Sequence, residues 1–136
     1  MQLELSRRGD YAVRAMLALA GADRGTWSSV RRIATDMSIP EGFLPRVMRD
    51  LAQTGLVEAR TGRTGGYRLA RGADRITLLD VIDAVEPADD DRRCVLRGMA
   101  CGTDGHCVVH DAFDEARVAH RQRLADTTLD VLTRPR

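Results

Sequence analysis

The stretch from residue 28 to residue 71 constrains the fold of this chain most, because it combines two helical patterns, a short turn and a hairpin. Ser28 or Ser29 can cap the helix that begins this stretch. The inward-facing residues of that helix recur at helical spacing: Val30, Ile33, Ala34 and Met37. A second helix is predicted over residues 41–54, with Pro45 tolerated near its first turn. Two short helices joined in this way predict a helix-turn-helix, although a plain helical hairpin inside a bundle has the same pattern.

A β-hairpin is predicted directly after the second helix. Residues 56–60 and 67–71 alternate like strands, and residues 61–66, with the sequence TGRTGG, have turn chemistry. In this position the hairpin is typical of the wing of a winged helix, whereas the alternative is an ordinary solvated hairpin. Arg63 stands at the tip between glycines, and an arginine on a thin loop can enter a narrow minor groove, where the negative potential is enhanced.

The charge of the chain is divided unevenly between its two halves. Residues 1–76 contain 13 arginines and eight acidic residues, a net charge of +5, whereas residues 77–136 contain eight arginines and 12 acidic residues, a net charge of −4. The overall charge of +1 hides this asymmetry. A basic first half and an acidic second half indicate that the first half meets a polyanion.

We therefore predict that the second helix enters the major groove of double-stranded DNA and that the hairpin meets the minor groove or nearby phosphates. Arg46 and Arg49 are candidates for guanine edges or phosphates. The residues predicted to contact DNA are Ser28, Ser29, Phe43, Pro45, Arg46, Arg49, Arg60, Arg63, Thr64, Gly65 and Tyr67.

Three further helices complete the predicted architecture. Residues 9–22 have an apolar stripe at helical spacing, and Thr77 can cap a helix over residues 77–86. Residues 108–132 contain no glycine or proline, and their spacing predicts one helix of about six turns. We interpret it as a dimerisation helix, with packing on the first helix of its own chain as the alternative.

The predicted fold is thus mostly α with a small β-hairpin wing, followed by a long C-terminal dimerisation helix. Residues 1–86 are expected to form the winged helix-turn-helix domain, residues 87–107 a cysteine-rich loop, and residues 108–136 the dimerisation helix and tail. The apolar N-terminus has helical spacing and is interrupted by charges, so we predict neither a signal peptide nor a membrane span. A cytoplasmic location is expected, where thiols stay reduced.

All three cysteines of the chain lie in one short, glycine-containing segment. Cys94, Cys101 and Cys107, followed by His110, have the spacing C-x6-C-x5-C-x2-H. Three thiolates and one imidazole are typical ligands of zinc or of an iron–sulfur cluster. Two simpler interpretations stay open, namely a flexible loop with incidental cysteines and a single disulfide that leaves one cysteine over.

Together, these features resemble the Rrf-two family of bacterial winged-helix regulators, which includes IscR-like and NsrR-like proteins. The resemblance covers nearly the whole chain, and four stretches carry it: MQLELSRRGDYAVRAMLALA, IPEGFLPRVMRDLAQTGLVEARTGRTGGYRLAR, ITLLDVIDAV and the cysteine segment. It implies a homodimer that binds palindromic operator DNA, and an iron–sulfur cluster, [2Fe–2S] or [4Fe–4S], on the three cysteines. The first cysteine spacing is one residue longer than the commoner pattern of the family.

The resemblance offers two candidates for a fourth cluster ligand. His110 matches the histidine ligand of IscR-like proteins, and it lies three residues after Cys107, so both side chains can point the same way. Asp10 matches an aspartate that the partner subunit supplies in some NsrR-like proteins. A carboxylate at this position is also explained by the dipole of the first helix.

The predicted function is that of a DNA-binding regulator whose cluster senses iron–sulfur status, nitric oxide or redox stress. One alternative keeps DNA binding but fills the cysteine site with zinc, which has no redox chemistry. Another is an adaptor that binds a metabolic enzyme through its dimer surface. We do not predict an enzyme, because the sequence has no serine–histidine–aspartate order, paired-carboxylate pocket or phosphate-binding loop.

Overall fold

The computed structural model describes residues 3–87, 94–96 and 107–135. Within these ranges the chain forms six α-helices and one antiparallel two-stranded hairpin, which confirms the prediction of a mostly α fold with a small β-hairpin. The elements are α1 (Arg7–Gly21), α2 (Val30–Met37), α3 (Leu44–Gln53), β1 (Val57–Arg60), β2 (Gly66–Leu69), α4 (Leu78–Val85), α5 (His110–Ala125) and α6 (Leu129–Thr133). Short 3₁₀ turns precede α3 at Glu41–Phe43 and follow the hairpin at Ala73–Arg75.

Side-chain caps determine where three of the helices begin. Ser6 caps α1, and the hydroxyl of Ser29 accepts the N–H of Arg32 at 3.1 Å to cap α2, so Ser29 rather than its neighbour has this role. At the start of α4, Thr77 and Asp80 form a reciprocal capping box. Each such cap contributes about 1 kcal/mol to stability.

The core lies between the inward faces of the first four helices. Helix α1 is central, because it packs against α2, α3, α4, α6 and β2. The largest fully buried side chains are Met16, Ile33, Leu44, Val47, Met48, Leu51, Ile76, Val81 and Leu129. All but the last of these residues lie within the first 85 positions, so the winged helix supplies nearly all of its own core.

The predicted single helix over residues 108–132 is wrong in its continuity. Helix α5 ends before residues 126–128, and α6 begins after them. The N–H of Leu78 donates to the carbonyl of Thr127 at 2.8 Å, and the N–H of Leu129 donates to the carbonyl of Ile76 at 3.0 Å. This pairing, together with complete burial of Leu129, outweighs the local helical propensity of the segment.

Helix α5 lies on the surface of the winged helix and contacts α4. Both terminal nitrogens of the Arg121 guanidinium donate to the carboxylate of Asp83 on α4, at 2.9 and 3.2 Å. All of α5 is described, and none of its residues is buried. No helix in the described ranges is long and apolar enough to cross a membrane.

Candidate DNA-binding surface and cysteine site

Helix α3 separates its residues cleanly into an inward and an outward face. The inward residues are Leu44, Val47, Met48 and Leu51. Pro45, Arg46 and Arg49 are exposed on the opposite side. Pro45 lies in the first turn, where its missing N–H leaves no helical hydrogen bond unmade. The outward face therefore carries two guanidinium groups at positions i and i+3, and these can reach a partner together.

Contacts with α1 fix the orientation of α3. The ring of Phe43, which is 50% exposed, lies 5.9 Å from the ring of Tyr11, and the guanidinium of Arg7 lies 5.7 Å from the Phe43 ring centre. Further along α3, Asp50 forms an ion pair with Arg8. Phe43 is thus held on one side by α1 while half of its surface stays available at the start of α3.

Two consecutive glycines allow the wing to close and to attach to α2. A Cβ atom at Gly65 would lie 2.0 Å from the carbonyl oxygen of Arg60 across the turn. Gly66 has φ +139°, and a Cβ atom there would lie 2.3 Å from the carbonyl oxygen of Ser28. Ser28 and Tyr67 exchange two backbone hydrogen bonds, of 2.9 and 2.8 Å. The absence of side chains at these positions lets the hairpin approach the chain just before α2.

The predicted DNA contacts outside α3 and the turn before it fall into two groups. Four of them have roles within the fold: Ser28, Ser29, Gly65 and Tyr67. Ser28 is only 6% exposed, so its side chain has little surface to offer a partner. Arg60, Arg63 and Thr64 are exposed on the wing, and a guanidinium N–H of Arg60 donates to the carbonyl of Thr64. Contact between any of these residues and DNA stays a prediction.

Sequence reasoning missed Trp27 as part of this surface. The guanidinium groups of Arg60 and Arg68 lie 4.5 and 4.2 Å from the centre of the Trp27 ring. Arg68 also donates to the carboxylate of Glu58 at 2.8 Å. The available signal was the only tryptophan of the chain, placed directly before Ser28. Its partners could be identified only once the hairpin register was known.

Asp10, the alternative fourth cluster ligand, is engaged within its own helix. Two nitrogens of the Arg14 guanidinium each donate to a different oxygen of the Asp10 carboxylate, both at 2.8 Å. The third nitrogen of Arg14 donates to the carbonyl of Met37 at the end of α2, at 3.3 Å. Asp10 also stands in the first turn of α1, where the helix dipole favours a negative charge.

The structure brings two of the three cysteines together. The sulfur atoms of Cys94 and Cys107 lie 3.6 Å apart, well beyond the roughly 2.05 Å of a disulfide bond, so they are not bonded to each other. Two thiolates on one tetrahedral metal, each at about 2.3 Å, would be about 3.8 Å apart. Cys94 is 7% exposed, and the carbonyl of Cys107 accepts the N–H of His110 at 3.0 Å where α5 begins.

The described part of the site is incomplete, because Cys101 lies outside the described residues. Within the described ranges, no three histidine, cysteine or acidic side chains converge as metal ligands. The pair formed by Cys94 and Cys107 nevertheless has a spacing and a donor chemistry that suit a thiolate-bound metal or cluster.

Comparisons with known proteins identify the family. The Rrf2 model, described as an iron-dependent transcriptional regulator, matches residues 5–135. The NsrR transcriptional regulator of Halalkalibacterium halodurans is 31% identical over 133 residues, which cover 96% of this chain and 91% of that protein.

Two solved structures have the same fold. The global cysteine regulator CymR of B. subtilis superposes with a TM-score of 0.81 at 27% identity, over 97% of each chain. T. potens IscR superposes with a TM-score of 0.78 at 27% identity, over 97% of this chain and 88% of that one. These relatives are transcriptional regulators and not enzymes. The chain belongs to the Rrf2 family of transcriptional regulators.

Proposed function

We propose that this protein is a homodimeric regulator that binds a palindromic operator, and that an iron–sulfur cluster on its cysteines sets its affinity for that operator. The observation that carries the DNA-binding part is the exposed face of α3, which presents Arg46 and Arg49 beside the wing. The observation that carries the cluster part is the 3.6 Å separation between the sulfur atoms of Cys94 and Cys107.

The proposed DNA contacts follow from the exposure of the helix and the wing. Helix α3 is anchored to α1 at both ends, so its outward face can enter a major groove as a rigid unit. Arg46 and Arg49 are the candidates for base edges, because a guanidinium can bind guanine through two hydrogen bonds. Arg63 at the tip of the wing would reach the minor groove or an adjacent phosphate.

Alanine substitutions, with a control that removes the same charge elsewhere, test these contacts. Arg46→Ala should weaken operator binding by about 1–3 kcal/mol and relax sequence preference if Arg46 reads a base. If Arg63 touches only phosphate, Arg63→Ala should reduce by about one the slope of log binding constant against log salt concentration. Arg75→Ala removes the same charge from an exposed site after the hairpin and serves as the control. Genome-wide mapping that finds no enriched inverted repeat would exclude the proposal.

The dimer part of the proposal rests on α5. A 16-residue helix without a buried residue gains little stability from its own chain, and Val118 on it is 60% exposed. A second copy of the helix would cover this surface. Light scattering should therefore give twice the 15.0 kDa mass of one chain, and Val118→Glu should lower it toward one chain. A wild-type protein that stays monomeric at micromolar concentration would exclude the dimer.

Cys94, Cys101 and Cys107 would hold the cluster, which when bound would supply iron that reacts with oxidants and nitric oxide. His110 is the preferred fourth ligand, because it begins α5 three residues after Cys107. Ligation by Asp10 would require it to give up two hydrogen bonds to Arg14. A fourth ligand other than thiolate bonds more weakly and leaves one iron more accessible.

The absorption spectrum of protein purified without air tests the cluster. Charge-transfer bands that disappear in Cys94→Ser would support it. His110→Ala should then shift the bands or shorten the lifetime of the cluster, while Asp10→Ala should leave both unchanged, and the reverse result would assign Asp10. A variant without all three cysteines that binds the operator as tightly as the cluster-loaded protein would show that the site does not regulate binding.

A second candidate is a regulator that uses the thiols without a cluster. The short distance between the Cys94 and Cys107 sulfurs favours it, as does the similarity to CymR, which is named as a global cysteine regulator. A colourless, metal-free protein that binds its operator with titratable thiols would select this candidate. A colourless protein with bound zinc would instead indicate a structural site.

A further inference from the structure

We propose that Trp27 is a positioning residue for the wing, which orders the Arg60 and Arg68 side chains before DNA arrives. This inference rests on the proposed DNA binding by the wing and adds a residue that does not itself need to touch DNA. The two guanidinium groups lie 4.5 and 4.2 Å from the ring centre, inside the roughly 6 Å range of a cation–π contact.

The indole is fixed relative to the hairpin by the backbone beside it. Trp27 directly precedes Ser28, which exchanges two backbone hydrogen bonds with Tyr67. Tyr67 in turn directly precedes Arg68 on β2. The bridge between Ser28 and Tyr67 therefore brings their chain neighbours, Trp27 and Arg68, close together. This short connection fixes the backbone of Trp27 relative to Arg68, and the partly buried ring lies against the two guanidinium groups.

The hairpin register places both arginines on one face. Glu58 pairs with Arg68 and Arg60 pairs with Gly66, so these residues alternate with Tyr67, which packs toward the core. Two cations on one ring repel each other, and each has an oxygen acceptor that offsets this repulsion. Arg68 donates to the carboxylate of Glu58, and Arg60 donates to a carbonyl near the tip of the wing.

Each guanidinium has five N–H donors, and these contacts use only part of them. The Arg68 side chain is 38% exposed and Arg60 is exposed, so their remaining donors can reach a phosphate. A long arginine side chain normally loses rotamer freedom when it binds DNA. Because Trp27 already restricts Arg60 and Arg68 in the DNA-free protein, that loss is smaller on binding. Removing the ring should thus weaken binding even though both arginines remain.

The test compares Trp27→Leu with Trp27→Phe in operator binding at fixed salt concentration. Trp27→Leu should lower affinity by about two- to fivefold for each arginine that it releases. Trp27→Phe keeps an aromatic face and should restore most of the loss. Thermal unfolding of each variant shows whether it is folded. If the leucine variant does not fold, the phenylalanine variant can still be compared with the wild type.

A double-variant comparison separates positioning from a general structural role. In a protein that already carries Arg60→Ala and Arg68→Ala, Trp27→Leu should have no further effect on affinity. A structural role would lower affinity by the same factor in both backgrounds. Equal factors, or wild-type affinity in Trp27→Leu, would overturn the inference and leave the proposed DNA binding intact.

Fluorescence provides a readout that needs no DNA. Trp27 is the only tryptophan in the chain, so tryptophan emission comes from this site alone. Arg60→Ala and Arg68→Ala should each change its emission maximum or its quenching by acrylamide, whereas Arg63→Ala should not. Unchanged emission in both variants would overturn the inference. If the variants show these shifts but the wild-type protein binds no DNA, the contact exists and the proposed function is refuted.

Discussion

Replacing Gly66 by alanine tests how the wing is attached to the helix-turn-helix. Gly66 has φ +139°, a backbone conformation that residues with a Cβ atom rarely adopt. An alanine Cβ there would lie 2.3 Å from the carbonyl oxygen of Ser28 and 3.0 Å from the nitrogen of Ser29. These atoms belong to the backbone at the start of α2, so they cannot rotate away as a flexible side chain could. The hairpin and the chain before α2 must move apart.

The structure allows an estimate of the energetic cost. Backbone strain of an alanine at this φ costs about 1–3 kcal/mol of folded-state stability. Separation of the two segments also breaks the two hydrogen bonds between Ser28 and Tyr67, each worth about 0.5–1.5 kcal/mol net. The lower entropy of an unfolded chain with alanine returns about 0.4–1 kcal/mol. Gly66→Ala should thus lower the free energy of unfolding by about 3 kcal/mol, a large part of the roughly 5–15 kcal/mol typical of a domain.

Urea unfolding followed by circular dichroism in reducing buffer measures this loss. Gly62→Ala is the matched control, because Gly62 also has positive φ, +99°, but a Cβ atom there would meet nothing within 4 Å. It should cost only the strain, about 1 kcal/mol. Hydrogen exchange at the Tyr67 amide should accelerate in Gly66→Ala alone. Equal losses of unfolding free energy in the two variants would refute the argument that Gly66 must be glycine because of the close backbone contact rather than because of φ alone.

Two further predictions concern the C-terminal segment. Leu129→Ala should destabilise the protein by about 2–5 kcal/mol in urea unfolding, because Leu129 is fully buried, whereas Leu132→Ala, at a side chain that is 44% exposed, should cost much less. A hydrogen bond from the Thr128 hydroxyl, with the nearby Arg134 guanidinium, lowers the pKa of Asp130 below its ordinary value. The resulting stabilisation is present above that ordinary value and is lost as the pH falls through the folded pKa, so melting curves of wild type and Asp130→Asn should differ at pH 7 and converge in strong acid.

Local signals were sufficient for most of the winged helix. Helices α1 to α4 each combine a spacing of apolar residues with a cap or a stop that involves residues only a few positions away. The turn of the wing is equally local, since Gly62 has positive φ and a Cβ atom at Gly65 would collide with the carbonyl oxygen of Arg60, five positions earlier. Such features depend on neighbours along the chain, so a single sequence contains them.

The features that sequence reasoning missed depend on distant partners. The break at residues 126–128 arises because Thr127 and Leu129 pair with residues about 50 positions earlier, and the segment has no glycine or proline that would have signalled it. Contact of Trp27 with Arg60 and Arg68 depends in the same way on the hairpin register.

For the cysteine site, spacing predicts candidate donors, and two candidates for a fourth ligand remain. The sequence did contain one relevant signal, the i, i+4 pair of Asp10 and Arg14, which the structure shows as a two-point contact.

Helix α5 is the physical connection between the cysteine segment and the winged helix. It begins at His110, three residues after the last cysteine, and Arg121 near its other end binds Asp83 on α4. Just beyond α5, the carbonyl of Thr127 accepts the N–H of Leu78, the first residue of α4. Helix α4 packs against both α1 and α3. A movement of α5 would act on α4 at Asp83 and Leu78, and on α1 through α6, which packs against α1; both α4 and α1 pack against α3.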